Sequence, residues 1–89
     1  MPEDYSVFLT YEAKEQLNCF DKSIRERIKK RLSSLSVCKD KRTLKKHPDI
    51  WVLEIGQYRA LYLVDVQKKT KTVFFIADHK EYEKKYLRM

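Results

Sequence analysis

The reactive side chains of this sequence form a short inventory. There are two cysteines, Cys19 and Cys38, and two histidines, His47 and His79. The cysteines lie far apart and show no CxxC spacing. They do not make a zinc site, which needs about four ligands. The histidines are likewise too few and too distant in sequence to anchor a metal alone. A Cys19–Cys38 disulfide stays open as chemistry, but with no secretion signal we read two reduced, half-buried thiols. Most of the other side chains that could act are charged. Glu54 and Arg59 straddle a Gly-Gln turn and can pair across it, as can Arg59 with Asp65. Lys and Arg total 20 against 13 Asp and Glu, for a net charge of +7. That excess suits a polyanion: nucleic acid, an anionic membrane surface or an acidic protein. It is unevenly placed. Residues 22–46 hold eleven basic side chains and two acids, Glu26 and Asp40, a balance of +9, while the rest of the chain stands at −2.

The elements that must position these groups are legible from periodicity. Eighty-nine residues make one domain, 1–89, with 43% hydrophobic and 12% aromatic content, enough for a modest core. No apolar run approaches the ~20 residues of a membrane span. The acidic Met-Pro-Glu-Asp start lacks an apolar h-region, so we expect a cytoplasmic protein without a membrane partner. Residues 5–10 read as a strand of aromatic and β-branched residues. Thr10 can cap a helix carrying Ala13, Leu17 and Phe20 on one face. Asp21 or Ser23 can cap a second, with Ile24, Ile28, Leu32 and Leu35 inward and Arg25, Lys29, Lys30 and Arg31 on or near the other side. Two antiparallel helices or one bent helical hairpin fit equally. Residues 37–48 read as a long basic connection. Strands follow at 50–55, 58–66 and 72–77. The first two are joined by Gly56-Gln57 as a type II′ hairpin, the last two by a polar turn at 67–71. Tyr82 and Tyr86, four apart, suggest a short C-terminal helix. The order β-α-α-β-β-β, with a final α, predicts an α+β fold: a small antiparallel-rich sheet with the helical hairpin packed on one face.

This order in a basic chain of this length resembles the RelE/ParE toxin superfamily of toxin–antitoxin systems. Leu44 followed by Ile50-Trp51-Val52-Leu53-Glu54-Ile55-Gly56-Gln57-Tyr58-Arg59-Ala60-Leu61-Tyr62 looks like the family's Leu-Trp-x-Leu-x-Ile-Gly-x-Tyr-Arg-x-x-Tyr hairpin. Ile76-Ala77-Asp78-His79-Lys80 is similar to its I-x-x-H-[K/R] strand end. The helical hairpin before a basic loop is the third shared feature, and the likeness covers nearly the whole chain.

The resemblance implies a concave basic surface opposite the helices. In the RelE branch that surface cleaves mRNA in the ribosomal A site without a metal or other cofactor. A ribose 2′-OH attacks the adjacent phosphate, which requires a proton acceptor, cations for the added charge and an acid at the leaving oxygen. Carried over by position, Arg59 is the phosphate-binding arginine, a bidentate donor suited to the role. Lys80 matches the basic residue after the last strand, and His79 the histidine of other branches, a common proton-transfer group. Tyr86 stands at the catalytic-tyrosine spacing, with Tyr82 its rival. Arg42, Lys45 and Lys46 of the loop would contact phosphate, and Lys29 and Lys30 would grip RNA from the helix. Val52 and Glu54 depart from the pattern, since RelE carries lysines there. The alternatives are therefore a ParE-like gyrase inhibitor without RNase activity and a non-toxic basic nucleic-acid-binding module. The family also implies a cognate acidic antitoxin, packed on the helices and sheet edge and covering or displacing residues 82–89, with ribosome and mRNA as the other partners.

Overall fold

The computed structural model of the protein describes residues 4–37, 43–44 and 47–87. Cys38, Arg42, Lys45 and Lys46 lie outside the described residues. The order is β1 (Ser6–Leu9), α1 (Tyr11–Asn18), α2 (Lys22–Ser34), β2 (Thr43–Leu44), β3 (His47–Ile55), β4 (Tyr58–Asp65), β5 (Thr70–Asp78) and α3 (His79–Tyr82), which runs into a π-helical turn at Glu83–Leu87. The five strands form one sheet in the order β1-β5-β4-β3-β2. β1 pairs parallel to β5, and the other three pairings are antiparallel. The expected α+β architecture is present. β2 is an addition, because Thr43 and Leu44 pair with β3 inside what reads as a basic connection.

The first two helices differ at their caps. The Thr10 hydroxyl accepts a hydrogen bond from the Ala13 amide at 3.2 Å and so satisfies one of the orphan donors of α1. Asp21 occupies the cap position of α2 but its side chain makes no capping bond there. The apolar stripe of α2 lands as its spacing predicts, with Ile28, Leu32 and Leu35 buried and Ile24 partly so.

The sheet is apolar on both faces. One face meets α1 and α2 through Leu53, Ile55, Ala60, Tyr62, Val73 and Ile76. The other gathers Leu44, Val52, Leu61, Phe75 and Ala77 beneath Tyr82, with Ile50, Phe74 and Tyr86 around them. A bulge makes this division work. Leu61 pairs with Phe75 but Tyr62 with Val73, so Phe74 is an extra residue on β5. Strict alternation would send Phe74 and Phe75 to opposite faces, and the bulge lets both serve the second one. Much of the second face is thus an apolar bed under the C-terminal segment.

Three further side chains measure the sequence pattern against the fold. Lys71, read as a turn residue, is in β5 and only 2% exposed. Its Nζ donates to the Leu35 carbonyl at the end of α2 at 2.8 Å and lies near the Tyr5 and Tyr62 rings. A lysine donor at a helix C-terminus satisfies an otherwise orphaned carbonyl. Cys19 is a free, exposed thiol, not a half-buried one. Trp51 packs partly buried against the helix-side core.

Candidate active site

The β3–β4 hairpin sets the geometry of the site. Ile55 pairs with Tyr58, leaving Gly56 and Gln57 as a two-residue loop. Gly56 has φ of +59°, while Gln57 is not in the positive-φ region. A positive φ at the first loop residue alone matches type II′ and excludes type I′. In such a hairpin the next pair out, Glu54 and Arg59, is non-hydrogen-bonded, so its side chains lie closest together.

Arg59 is consequently held by its own hairpin. Its Nη2 is 3.3 Å from Glu54 Oε2. Its Nη1 donates to the carbonyls of Gly56 and Tyr58, each at 2.9 Å. Its Nε is buried without a hydrogen-bond partner, and the side chain is 11% exposed against 50% for Glu54. The guanidinium faces a cleft but presents no open two-pronged fork to it.

That cleft holds about 620 Å³ and is lined by Gly56, Gln57, Arg59, Asp78, His79 and Lys80. Backbone pairing brings its two walls together. Tyr58 pairs with Asp78, and the His79 amide extends the ladder by donating to the Gln57 carbonyl at 2.7 Å. At this point the chain turns into α3. Asp78 Oδ1 caps the helix by accepting from the Glu81 amide at 2.9 Å, which fixes the direction of the His79 and Lys80 side chains leaving the first turn. His79 Nε2 contacts Glu83 Oε1 at 2.7 Å, one turn further on. His79 is about half exposed and Lys80 is exposed.

The structure therefore brings Arg59, His79 and Lys80 into one cleft and leaves the tyrosines beside it. Tyr82 is 4% exposed in the apolar bed, its ring 6.4 Å from that of His79. Tyr86 meets Phe75 edge-on at 5.1 Å and stacks on Tyr82 at 6.5 Å. Burial, with the nearby Glu12 carboxylate second, pushes the Tyr86 phenol above its usual range. At neutral pH it is a proton donor and not an acceptor.

The α2 lysines and arginines separate by flank. Lys29 lines a groove of about 480 Å³ between β1 and the helices, with Val7, Leu9, Lys14 and Leu17. Lys29 also borders the outer surface, where Lys30 sits with Glu26 and Ser33. Arg27 and Arg31 instead lean over the hairpin. Arg31 Nη2 donates to the Glu54 carbonyl at 3.2 Å, and Arg27 Nη1 lies 3.8 Å from where a Cβ on Gly56 would sit. Sequence reasoning gave these two arginines no place at the hairpin. The signal was their i, i+4 spacing on one flank of the apolar stripe, with Lys29 on the other flank and Lys30 behind. Among the described residues, no group of three or more His, Cys, Asp or Glu could hold a metal ion. No described helix is long and apolar enough to cross a membrane.

No protein-family model matches the sequence, and no curated protein matches it either. Solved structures do match the fold. A chain of a RelBE toxin–antitoxin complex from Mycobacterium tuberculosis superposes with a TM-score of 0.77 at 20% identity, covering 84% of this chain and 91% of that one. A double mutant of the E. coli RelE toxin in the free state gives 0.75 at 19% identity over 96% of both chains. A chain of the archaeal RelE–RelB complex of Pyrococcus horikoshii gives 0.66 at 14%, covering 85% and 96%. The chain shares the α+β fold of these solved structures. Identities this low establish the architecture and leave the chemistry to the site.

Proposed function

We propose that this protein is the toxin of a toxin–antitoxin pair, an endoribonuclease that cuts ribosome-bound mRNA in the cytoplasm and arrests translation. The observation that supports this most is the cleft itself, in which a RelE fold gathers Arg59, His79 and Lys80 at one hairpin end. The reaction needs no resident metal. The ribose 2′-oxygen attacks phosphorus in line, the O2′–P bond forms and the P–O5′ bond breaks. The products are a 2′,3′-cyclic phosphate and a 5′-hydroxyl. One proton leaves the 2′-oxygen and one reaches the 5′-oxygen. Glu54 and His79 are the two groups at the site suited to exchange them. Lys80, and Arg59 once it lets go of Glu54, hold the added charge of the phosphorane. Tyr82 and Tyr86 seat the helix that carries His79. Induced expression is expected to arrest growth and to leave mRNA cut inside codons. Growth arrest with uncut mRNA would remove the RNase reading.

A ParE-like gyrase inhibitor is the second reading. It is favoured by the way Glu54 and two hairpin carbonyls occupy Arg59. Inhibition of gyrase supercoiling by the purified protein is expected on that reading alone. On either reading the natural ligand is an acidic antitoxin. Among the described strands the outer edge of β1 is unpaired, and Phe8 and Tyr11 beside it are exposed. An acidic chain ordering over these surfaces would also compete for the bed under Tyr82 and Tyr86.

A further inference from the structure

We propose that the hairpin tip is a saddle over which a single RNA strand passes, with Arg27 and Arg31 of α2 binding phosphate on the side away from the cleft. This rests on the RNase reading and extends its substrate contact from the cleft to a second site. The tip is approached by guanidinium groups from both sides. Arg59 stands on the sheet face that bears the cleft, and Arg27 and Arg31 reach across from the helix layer. Arg59 and Arg27 come together at the residue with the least bulk, and Arg31 lies beside them at the Glu54 carbonyl. Gly56 carries no side chain, and the nearest heavy atom to a Cβ built there is Arg27 Nη1. A backbone crossing at Gly56 therefore meets a low ridge with cations on both slopes.

The electrostatic balance favours an anion there. Among the described residues two carboxylates lie near the tip: Glu54, which faces Arg59, and Asp78, which lines the cleft and caps α3. Arg31 meets Glu54 through the backbone carbonyl, a neutral group. Guanidinium groups are strong, two-pronged phosphate ligands. An acidic protein is the weaker candidate, because protein interfaces are built around an apolar centre. The exposed large apolar residues among those described are Phe8, Tyr11, Val37, Leu63 and Val66, and none belongs to the tip or to α2. The saddle also gives this flank of α2 a use for its cations. Lys29 faces the β1 groove and Lys30 faces solvent, so neither continues the cleft.

The test uses the full chain and a 2′-O-methyl RNA strand of about ten nucleotides, which binds but cannot be cut. Fluorescence anisotropy at several salt concentrations gives the affinity and its salt slope for wild type, Arg27→Gln/Arg31→Gln and Lys29→Gln/Lys30→Gln. The two double variants remove the same charge. The arginine pair is expected to weaken binding about tenfold or more. It should also flatten the log–log salt slope by about 0.7 for each phosphate no longer neutralised. The lysine pair should do markedly less. A dinucleotide too short to cross the tip should bind the arginine variant as it binds wild type. Equal weakening by both pairs would overturn the saddle, as would an equal weakening for the dinucleotide. So would an arginine pair that keeps RNA affinity but binds the acidic antitoxin less well. Wild type that binds no RNA at all would also overturn the saddle, while the RNase reading is decided separately by mRNA cleavage on programmed ribosomes.

Discussion

At the scale of residues, the decisive contact is between Glu54 and Arg59. Both of its meanings are visible in the sequence, since the resemblance to RelE toxins implies phosphate binding by Arg59 and a carboxylate across the turn suggests a cross-strand pair. The structure realises the pair. Which state dominates could not be read from residue types, because it depends on rotamers and on two backbone carbonyls that only the folded turn brings together. Replacing Glu54 with Gln should release Arg59. RNA binding is then expected to tighten by roughly fivefold, in keeping with a half-exposed pair of about 1 kcal/mol. The gain should disappear when Arg59 is also changed to Gln, and binding titrations of the four proteins would show it. Tyr86 makes a second residue-scale prediction. Its folded pKa is raised, so at high pH the unfolded chain releases the phenol proton first. The contribution to stability is intact below the ordinary value of 10.0 and is lost as pH rises through the folded value. Urea unfolding of Tyr86→Phe at pH 9 and pH 11 should show a smaller alkaline loss than wild type.

At the scale of elements, long periodic segments were legible and local pairing was not. The stripe Ile24–Ile28–Leu32–Leu35 and the Gly56-Gln57 turn carry strong patterns, and both appear where the pattern puts them. The start of β5 carries a misleading one. Gln67-Lys68-Lys69-Thr70-Lys71 is polar throughout, so it reads as turn. Parallel pairing with β1 extends the strand back to Thr70 and buries Lys71 under the end of α2. A lysine can be buried there because a helix C-terminus provides the acceptor and aromatic rings line the stem. Lys71→Ala should cost about 2–4 kcal/mol, from the cavity left by the stem and from leaving the Leu35 carbonyl without its donor. The denaturant midpoint should fall without a change in slope. The two-residue β2 and the bulge at Phe74 were invisible for a related reason. Both follow from register against a neighbouring strand, which a one-dimensional pattern does not encode.

At the scale of the whole molecule, the charge map and the fold divide the labour. The basic segment 22–46 supplies α2, whose two cationic flanks face different surroundings once the helix docks. The nearly neutral remainder supplies the hairpin, the last strand and α3, where the cleft forms. The sheet is covered by α1 and α2 on one face and by residues 82–86 on the other. The cover of the second face is short, and it continues directly from the helix that bears His79. A partner that displaced it would move His79 at the same time and so disturb the cleft.

Whether this cleft cuts RNA is tested most directly by single-turnover cleavage of mRNA on programmed ribosomes by purified protein. Cuts are predicted inside the A-site codon, ending in a 2′,3′-cyclic phosphate and slowed at least ~10²-fold by His79→Ala, the scale of a lost proton-transfer group. Intact mRNA, or cleavage that His79→Ala and Arg59→Ala leave unchanged, would contradict the proposed chemistry.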